Sequence, residues 1–244
     1  MKLAAPLRLL VVFFAVAAAL LLLFSGLGWR LGWWHFRTGF AVMRWATYLG
    51  GAGALLAIVA LAMPRVRTRW VAPLAGSLIL GAVIAYVPFH WQQRAQSVPR
   101  IHDISTDTEN PPQFVAIVPL REGAPNSLER STGLGAQQQA AYPDVVPMRL
   151  DLPPARTFDL ADRAARSMGW EIVALVPGQG RIEATATTLL FGFKDDVVIR
   201  ITPEAGGSRV DVRSVSRVGQ SDIGANARRI RAFMKELQAQ QRAA

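Results

Sequence analysis

The sequence predicts an α-helical three-span membrane anchor followed by a two-layer α+β soluble domain, mostly antiparallel sheet, in the order β-α-β-β-β-β-α. Three observations predict it. The first of the 17 acidic residues is Asp103, and no Asp or Glu precedes it. Three long apolar segments precede it, where a carboxylate would have to leave water. From about Val146 onward the apolar spacing switches to short period-two runs broken by Gly and Pro, with a helical pattern near each end.

The anchor occupies residues 1–91, with spans at about 7–29, 41–63 and 70–89. The first contains the unbroken apolar run Leu9–Phe24, and Trp45–Met63 and Trp70–Phe89 are free of charge. At 1.5 Å rise per residue each can cross a hydrocarbon core of roughly 30 Å. Lys2 and Arg8 resemble the basic start of a cleaved signal, but no A-x-A-like site follows Phe24 and two more spans come after. A retained helix is therefore expected. Ala46, Gly50 and Ala54, then Ser77, Gly81 and Ala85, place small residues at four-residue spacing. Such stripes permit close helix approach within a three-helix bundle or a homo-oligomer, although an Ala/Gly-rich chain also produces them by chance.

Charge orients the spans. With the N-terminus inside, Lys2, Arg8, Arg65, Arg67 and Arg69 face in, against Arg30, Arg37, Arg44, Arg94 and Arg100 outside, a tie in number. Arg44 lies at a helix entrance and Arg100 is remote from a span, so the three Arg of the short Pro64–Arg69 turn tip the balance to a cytoplasmic N-terminus. Trp29, Trp33, Trp34, Trp45 and Trp91 then gather at the outer interface. An odd number of spans puts the C-terminal domain in the periplasm, with the anchor in a bacterial inner membrane.

Net charge is +10, but residues 1–96 carry nine Lys and Arg without an acid, and residues 97–244 carry eighteen against seventeen acids. The soluble part is near neutral, which disfavours nucleic acid as a partner. There is no Cys, so disulfides and thiolate chemistry are excluded.

Residues 92–112 read as a polar linker ending in Asn110-Pro111-Pro112, and the soluble domain spans 113–241. Phe114–Leu120 is a short apolar run expected as a strand, and about 121–147 is a long loop. Met148–Leu152 is a strand closed by Pro153-Pro154. Thr157 caps a helix with Phe158, Ala161, Ala164, Ala165 and Met168 on one face, ended by Gly169. Strands follow at Trp170–Val176, Arg181–Thr188, Asp195–Thr202 and about Val210–Arg217, joined by short turns that favour hairpins. A last helix from about Asp222 to Gln241 buries Ile223, Ala227, Ile230, Met234 and Leu237.

The run Ile182-Glu183-Ala184-Thr185 leading to Leu190-Phe191-Gly192-Phe193-Lys194-Asp195-Asp196-Val197, and the block from Val210 through Val218-Gly219-Gln220-Ser221-Asp222-Ile223-Gly224, resemble Domain of Unknown Function family 1499. The resemblance covers roughly Ile101–Leu237. It implies an independent domain of bacterial and plastid type without an agreed activity, and it assigns no catalytic residue.

Asp196, Arg200, Asp211, Arg213 and Arg217 fall on one sheet face near Thr185 and Thr187. Arg forks match carboxylate and phosphate oxygens, so Arg200, Arg213 and Arg217 are candidate anion ligands. The bland alternative is a solvated face of cross-strand ion pairs. Ser221 in the turn before the last helix joins the candidates, since N–H groups at a helix start attract anions; Ser221 or Asp222 as a helix cap competes with that role. Asp195 and Asp196 point to opposite faces and cannot pair as acid and base. His102 has Asp103 beside it facing another way, which disfavours a triad. Asp103, Asp107 and Glu109 lack calcium-loop spacing. No metal or cofactor is expected, and catalytic residues are unassigned.

The expected role is therefore a membrane-anchored extracytoplasmic binding or interaction domain for an anionic envelope component or a partner protein. Alternatives are an envelope hydrolase or transferase, or a structural subunit of an inner-membrane complex.

Overall fold

The computed structural model describes residues Ala4–Ala243; Lys2, counted above on the inner side, lies outside them. The chain divides into two compact units, Met1–Arg94 with Leu189–Gly192, and Ala95–Thr188 with Phe193–Ala244.

The first unit holds α1 (Ala4–Arg30), α2 (Phe36–Ala62), the single-turn α3 (Pro64–Arg67) and α4 (Val71–Ser97), whose last residues open the second unit. α1, α2 and α4 are each long and apolar enough to cross a membrane. Polar side chains inside them are satisfied locally: Ser25 Oγ donates to Leu22 O at 2.6 Å and Thr47 Oγ1 to Met43 O at 3.0 Å. Pro64 opens α3 at the position where a missing N–H is harmless. The small-residue stripes meet each other inside one chain. A Cβ on Gly81 would lie 2.5 Å from Gly50 O, so α2 and α4 touch backbone to backbone. Val11, Ala57, Ala60, Val66 and Leu74 fill one cluster of this bundle, and Ala18, Ala46 and Ile84 another.

In the second unit, β1 (Asp103–Ser105), β2 (Met148–Leu150), β3 (Glu171–Val176), β4 (Arg181–Thr187), β5 (Lys194–Glu204) and β6 (Gly207–Ser216) form one antiparallel sheet. Its order is β1-β6-β5-β4-β3, with β2 also paired to β6 beyond the end of β1. The predicted β-α-β-β-β-β-α succession runs from β2 through α6 (Pro154–Ser167) to α7 (Ala225–Arg242).

Period-two alternation sends Ile182, Ala184, Val197, Ile199, Ile201, Val210 and Val212 to the face under α6 and α7. There they meet Phe158, Leu160, Ile230, Phe233 and Leu237. Burying each such large side chain contributes roughly 1.5–3 kcal/mol. α6 ends as read from Gly169, whose φ of +71° suits the residue after a helix.

Four local expectations differ. α6 begins at Pro154, because Pro is tolerated at the first helical position; Thr157 lies inside the helix, with its hydroxyl 2.7 Å from Ser208 Oγ. Phe114–Leu120 forms no strand: its amides turn toward a side chain, and Val118–Arg121 is a 3₁₀ turn. The 92–112 stretch holds the end of α4 and β1, and the 121–147 loop contains α5 (Leu134–Ala141). β1 is three residues long, too short for its period to be legible.

Candidate functional site

The second sheet face is charged, and residues 106–133 lie across it as a strap. Register explains the clustering. Glu183, Val198, Arg213 and Ser105 align across β4, β5, β6 and β1, as do Thr185, Asp196, Val215 and Asp103. Phe114, Ile117 and Leu128 of the strap pack on Val198 and Val215, drying the middle of the layer.

Glu183 is 0% exposed and holds the strap. Its carboxylate accepts the N–H groups of Val115 (3.1 Å to each oxygen), Ala116 (3.0 Å) and Ile117 (2.9 Å). Arg181 Nε is 3.2 Å from Glu183 Oε1, an ion-pair contact without hydrogen-bond alignment.

Around it sit three ion clusters. Asp103 accepts from Arg213 Nε at 3.0 Å and Nη2 at 2.9 Å, and from Arg130 Nη1 at 3.3 Å. Asp196 accepts from Arg217 Nε (2.9 Å) and Nη2 (2.8 Å), Arg121 Nη1 (2.6 Å) and Thr185 Oγ1 (2.8 Å). Asp211 and Asp107 share Arg200 and Arg209, with Arg200 Nη2 at 2.9 and 3.0 Å from the two carboxylates. The layer therefore contains seven arginines against five carboxylates. The surplus falls at Asp103 and Asp196, which each face two guanidinium groups.

Protonation follows from these contacts. Burial pulls the Arg130 guanidinium below its ordinary range, and neighbouring Arg213 adds to this against the pull of Asp103. Burial works against ionising Asp107, but the Asn110 N–H and the charges of Arg209 and Arg200 outweigh it and lower its pKa. Burial raises Asp222 despite the N–H bonds it accepts.

The residues singled out from the sequence lie as follows. Arg213 is 1% exposed; besides Asp103 it donates to Pro112 O and Leu128 O, and its guanidinium carbon lies 5.4 Å from the Phe114 ring centroid. Arg217 and Arg200 are partly exposed and held by Asp196 and by the Asp107–Asp211 pair. Ser221 is on none of the three clusters: its Oγ accepts Ile223 N at 3.2 Å, while Asp222 accepts Gly224 N and Asn226 N at 2.7 Å each, ordering the entry to α7. Asp195 and Asp196 take opposite faces, the former paired with Arg229 of α7.

Sequence reasoning passed over Arg121, Arg130 and Asp103 as members of this layer, and gave Glu183 no role on it. The available signal was Val198 and Val215, two valines on a face otherwise read as wet, which call for an apolar cover.

A cleft of ≈ 500 Å³ opens through the strap beside this layer, its wall carrying Phe114, Leu128, Arg130 and Arg213 together with the carboxylates Glu109 and Glu129. Arg213 forms part of its floor, and Arg130, its side chain 11% exposed, is the second cation at its side. Arg130 is the more loosely tied of the two, at 3.3 Å from Asp103 and 3.4 Å from Gln138 Oε1.

No curated protein matches the chain. The family model described as "protein of unknown function (DUF1499)" matches residues 103–237, which contain every charged residue of this layer and more than half of the sequence. The chain belongs to that family.

Proposed function

We propose that the protein is an inner-membrane-anchored binding module whose periplasmic domain takes an anionic envelope component, or the anionic segment of a partner, at the strap cleft. The carrying observation is the two-to-one ratio of guanidinium to carboxylate where Arg213 and Arg130 share Asp103 beside a cleft of ≈ 500 Å³. A phosphate or carboxylate entering beside Arg130 would meet its guanidinium with bidentate geometry, in competition with the exposed Glu109 and Glu129 of the same wall. The fixed pair Arg213–Asp103 supplies a rigid floor, and the loose bonds of Arg130 leave donors to re-aim. The periplasmic side is supported by the Arg65, Arg67 and Arg69 turn and by the tryptophans expected at the opposite interface.

The test is a native mass spectrum of full-length protein released from its own membranes in mild detergent. The expected result is a discrete acidic adduct that disappears in Arg130→Gln while the melting temperature stays within about 2 °C, because Asp103 keeps its two-pronged bond to Arg213. Retention of the same adduct by Arg130→Gln would overturn this reading.

A further inference from the structure

At the end of the first unit formed by the start of α1, α3 and the start of α4, a cleft of ≈ 1420 Å³ is walled by Leu7, Leu10 and Trp70 and rimmed by Arg8, Arg65 and Arg69. Arg8 builds this end. Its Nε donates to Val66 O at 2.7 Å, and its Nη2 donates to Arg65 O at 3.1 Å and Thr68 O at 3.0 Å. Its guanidinium carbon also lies 5.6 Å from the centroid of the Trp70 ring. That clamp ties α1 to the turn and fixes the backbone from which Arg65 and Arg69 project. Both of these side chains are exposed, and no carboxylate pairs with either among the described residues. None can come from this unit, because its residues contain no Asp or Glu.

We propose that this cleft holds an anionic phospholipid, its phosphate between Arg65 and Arg69 and its glycerol and upper acyl chain against Leu7, Leu10 and Trp70. The shape and the charge argue together. The cleft lies at the end of helices long and apolar enough to span a bilayer, which is the level at which headgroups lie. An apolar wall continuous with the spans suits a hydrocarbon chain, and a cationic rim without a protein counter-ion suits a phosphodiester. Trp70 is the amphipathic side chain expected where the two regions meet. A soluble anion would use the rim and leave the apolar wall wet; a zwitterionic lipid would fill the wall and leave the charge uncompensated.

The full-length protein in a neutral maltoside detergent is titrated with phosphatidylglycerol, and retained lipid is counted by native mass spectrometry. Phosphatidylcholine of the same chains and glycerol 1-phosphate serve as the zwitterionic and lipid-free arms. One phosphatidylglycerol should be retained preferentially, and Arg65→Gln with Arg69→Gln should weaken it about 25-fold, at roughly fivefold per cation. Both positions are exposed, so this variant should fold. Arg37→Gln with Arg44→Gln removes equal charge elsewhere in the unit and should leave retention unchanged. Equal retention of phosphatidylcholine, displacement by equimolar glycerol 1-phosphate, or indifference to the Arg65/Arg69 pair overturns the proposal. So does an equal loss in the Arg37/Arg44 control.

Discussion

Replacing Glu183 with Gln tests how the strap is attached. The native carboxylate gathers three backbone N–H groups at 2.9–3.1 Å in a fully buried setting. Hydrogen bonds to a charged group are worth roughly 1.5–3 kcal/mol each. Gln keeps one acceptor oxygen and turns an NH₂ toward donors that need an acceptor. It also removes the carboxylate charge 3.2 Å from Arg181. Loss of about two of the bonds, with a partly orphaned cation, gives about 3–5 kcal/mol, the usual cost of breaking a buried pair. That is a large share of a typical total of about 5–15 kcal/mol. The melting temperature of the soluble unit should fall by roughly 6–20 °C, at about 2–4 °C per kcal/mol. Hydrogen exchange localises the effect: the amides of Val115, Ala116 and Ile117 should exchange about 100- to 3000-fold faster, a tenfold change for every 1.4 kcal/mol. Unchanged protection at those three amides would refute the assignment of Glu183 as the strap's anchor.

Three further outcomes follow from the same geometry. Arg213→Ala strands Asp103 with only the loosely held Arg130, so denaturant unfolding should show a loss of about 3–5 kcal/mol; Arg213→Lys should recover only part, lacking the two-pronged fork. Asp107 has a lowered native pKa, so its contribution is present above about pH 4 and disappears as pH falls through the native value; Asp107→Asn should flatten that acid limb of stability against pH. Gly81→Leu forces a side chain where even a Cβ would sit 2.5 Å from Gly50 O, so thermal scans of full-length protein in detergent should show a destabilised first unit.

The sheet was legible in the sequence because its residues alternate with a strict period. Ile182, Ala184, Val197, Ile199, Val210 and Val212 announce one face and Glu183, Asp196, Arg200, Asp211 and Arg213 the other. What covers the second face was not legible. Residues 106–133 have no helical or strand period, and their positions are set by side-chain bonds across long sequence separations. Glu183 reaches the 115–117 amides, Asn126 donates to Ser216 O and Gly219 O, and Arg213 meets Asp103. Cross-strand pairing was correct for Arg200 with Asp211, which are register partners. It could not foresee Asp103, because a three-residue strand inside a polar stretch leaves no pattern to read.

The origin of each arginine separates binding from folding. At Asp103 the sheet supplies Arg213 and the strap supplies Arg130; at Asp196 the segment just after β6 supplies Arg217 and the strap supplies Arg121. Without the strap's members each carboxylate would still hold one partner, at 2.9 Å for Arg213 and 2.8 Å for Arg217. The strap's two arginines are therefore the second cations at these two carboxylates, although the strap also brings Asp107 to the layer and exposed Glu109, Glu122 and Glu129 to its surface, while the sheet side alone keeps Asp103 and Asp196 neutralised. An anion that competes for either strap arginine draws on a second cation and leaves neither carboxylate without a partner, so the cost described for Arg213 does not arise. Arg130 combines this position with a place in the cleft wall and the longest ion-pair bond at either two-to-one cluster, 3.3 Å, which makes it the residue where charge can be altered with the least damage to the fold beneath.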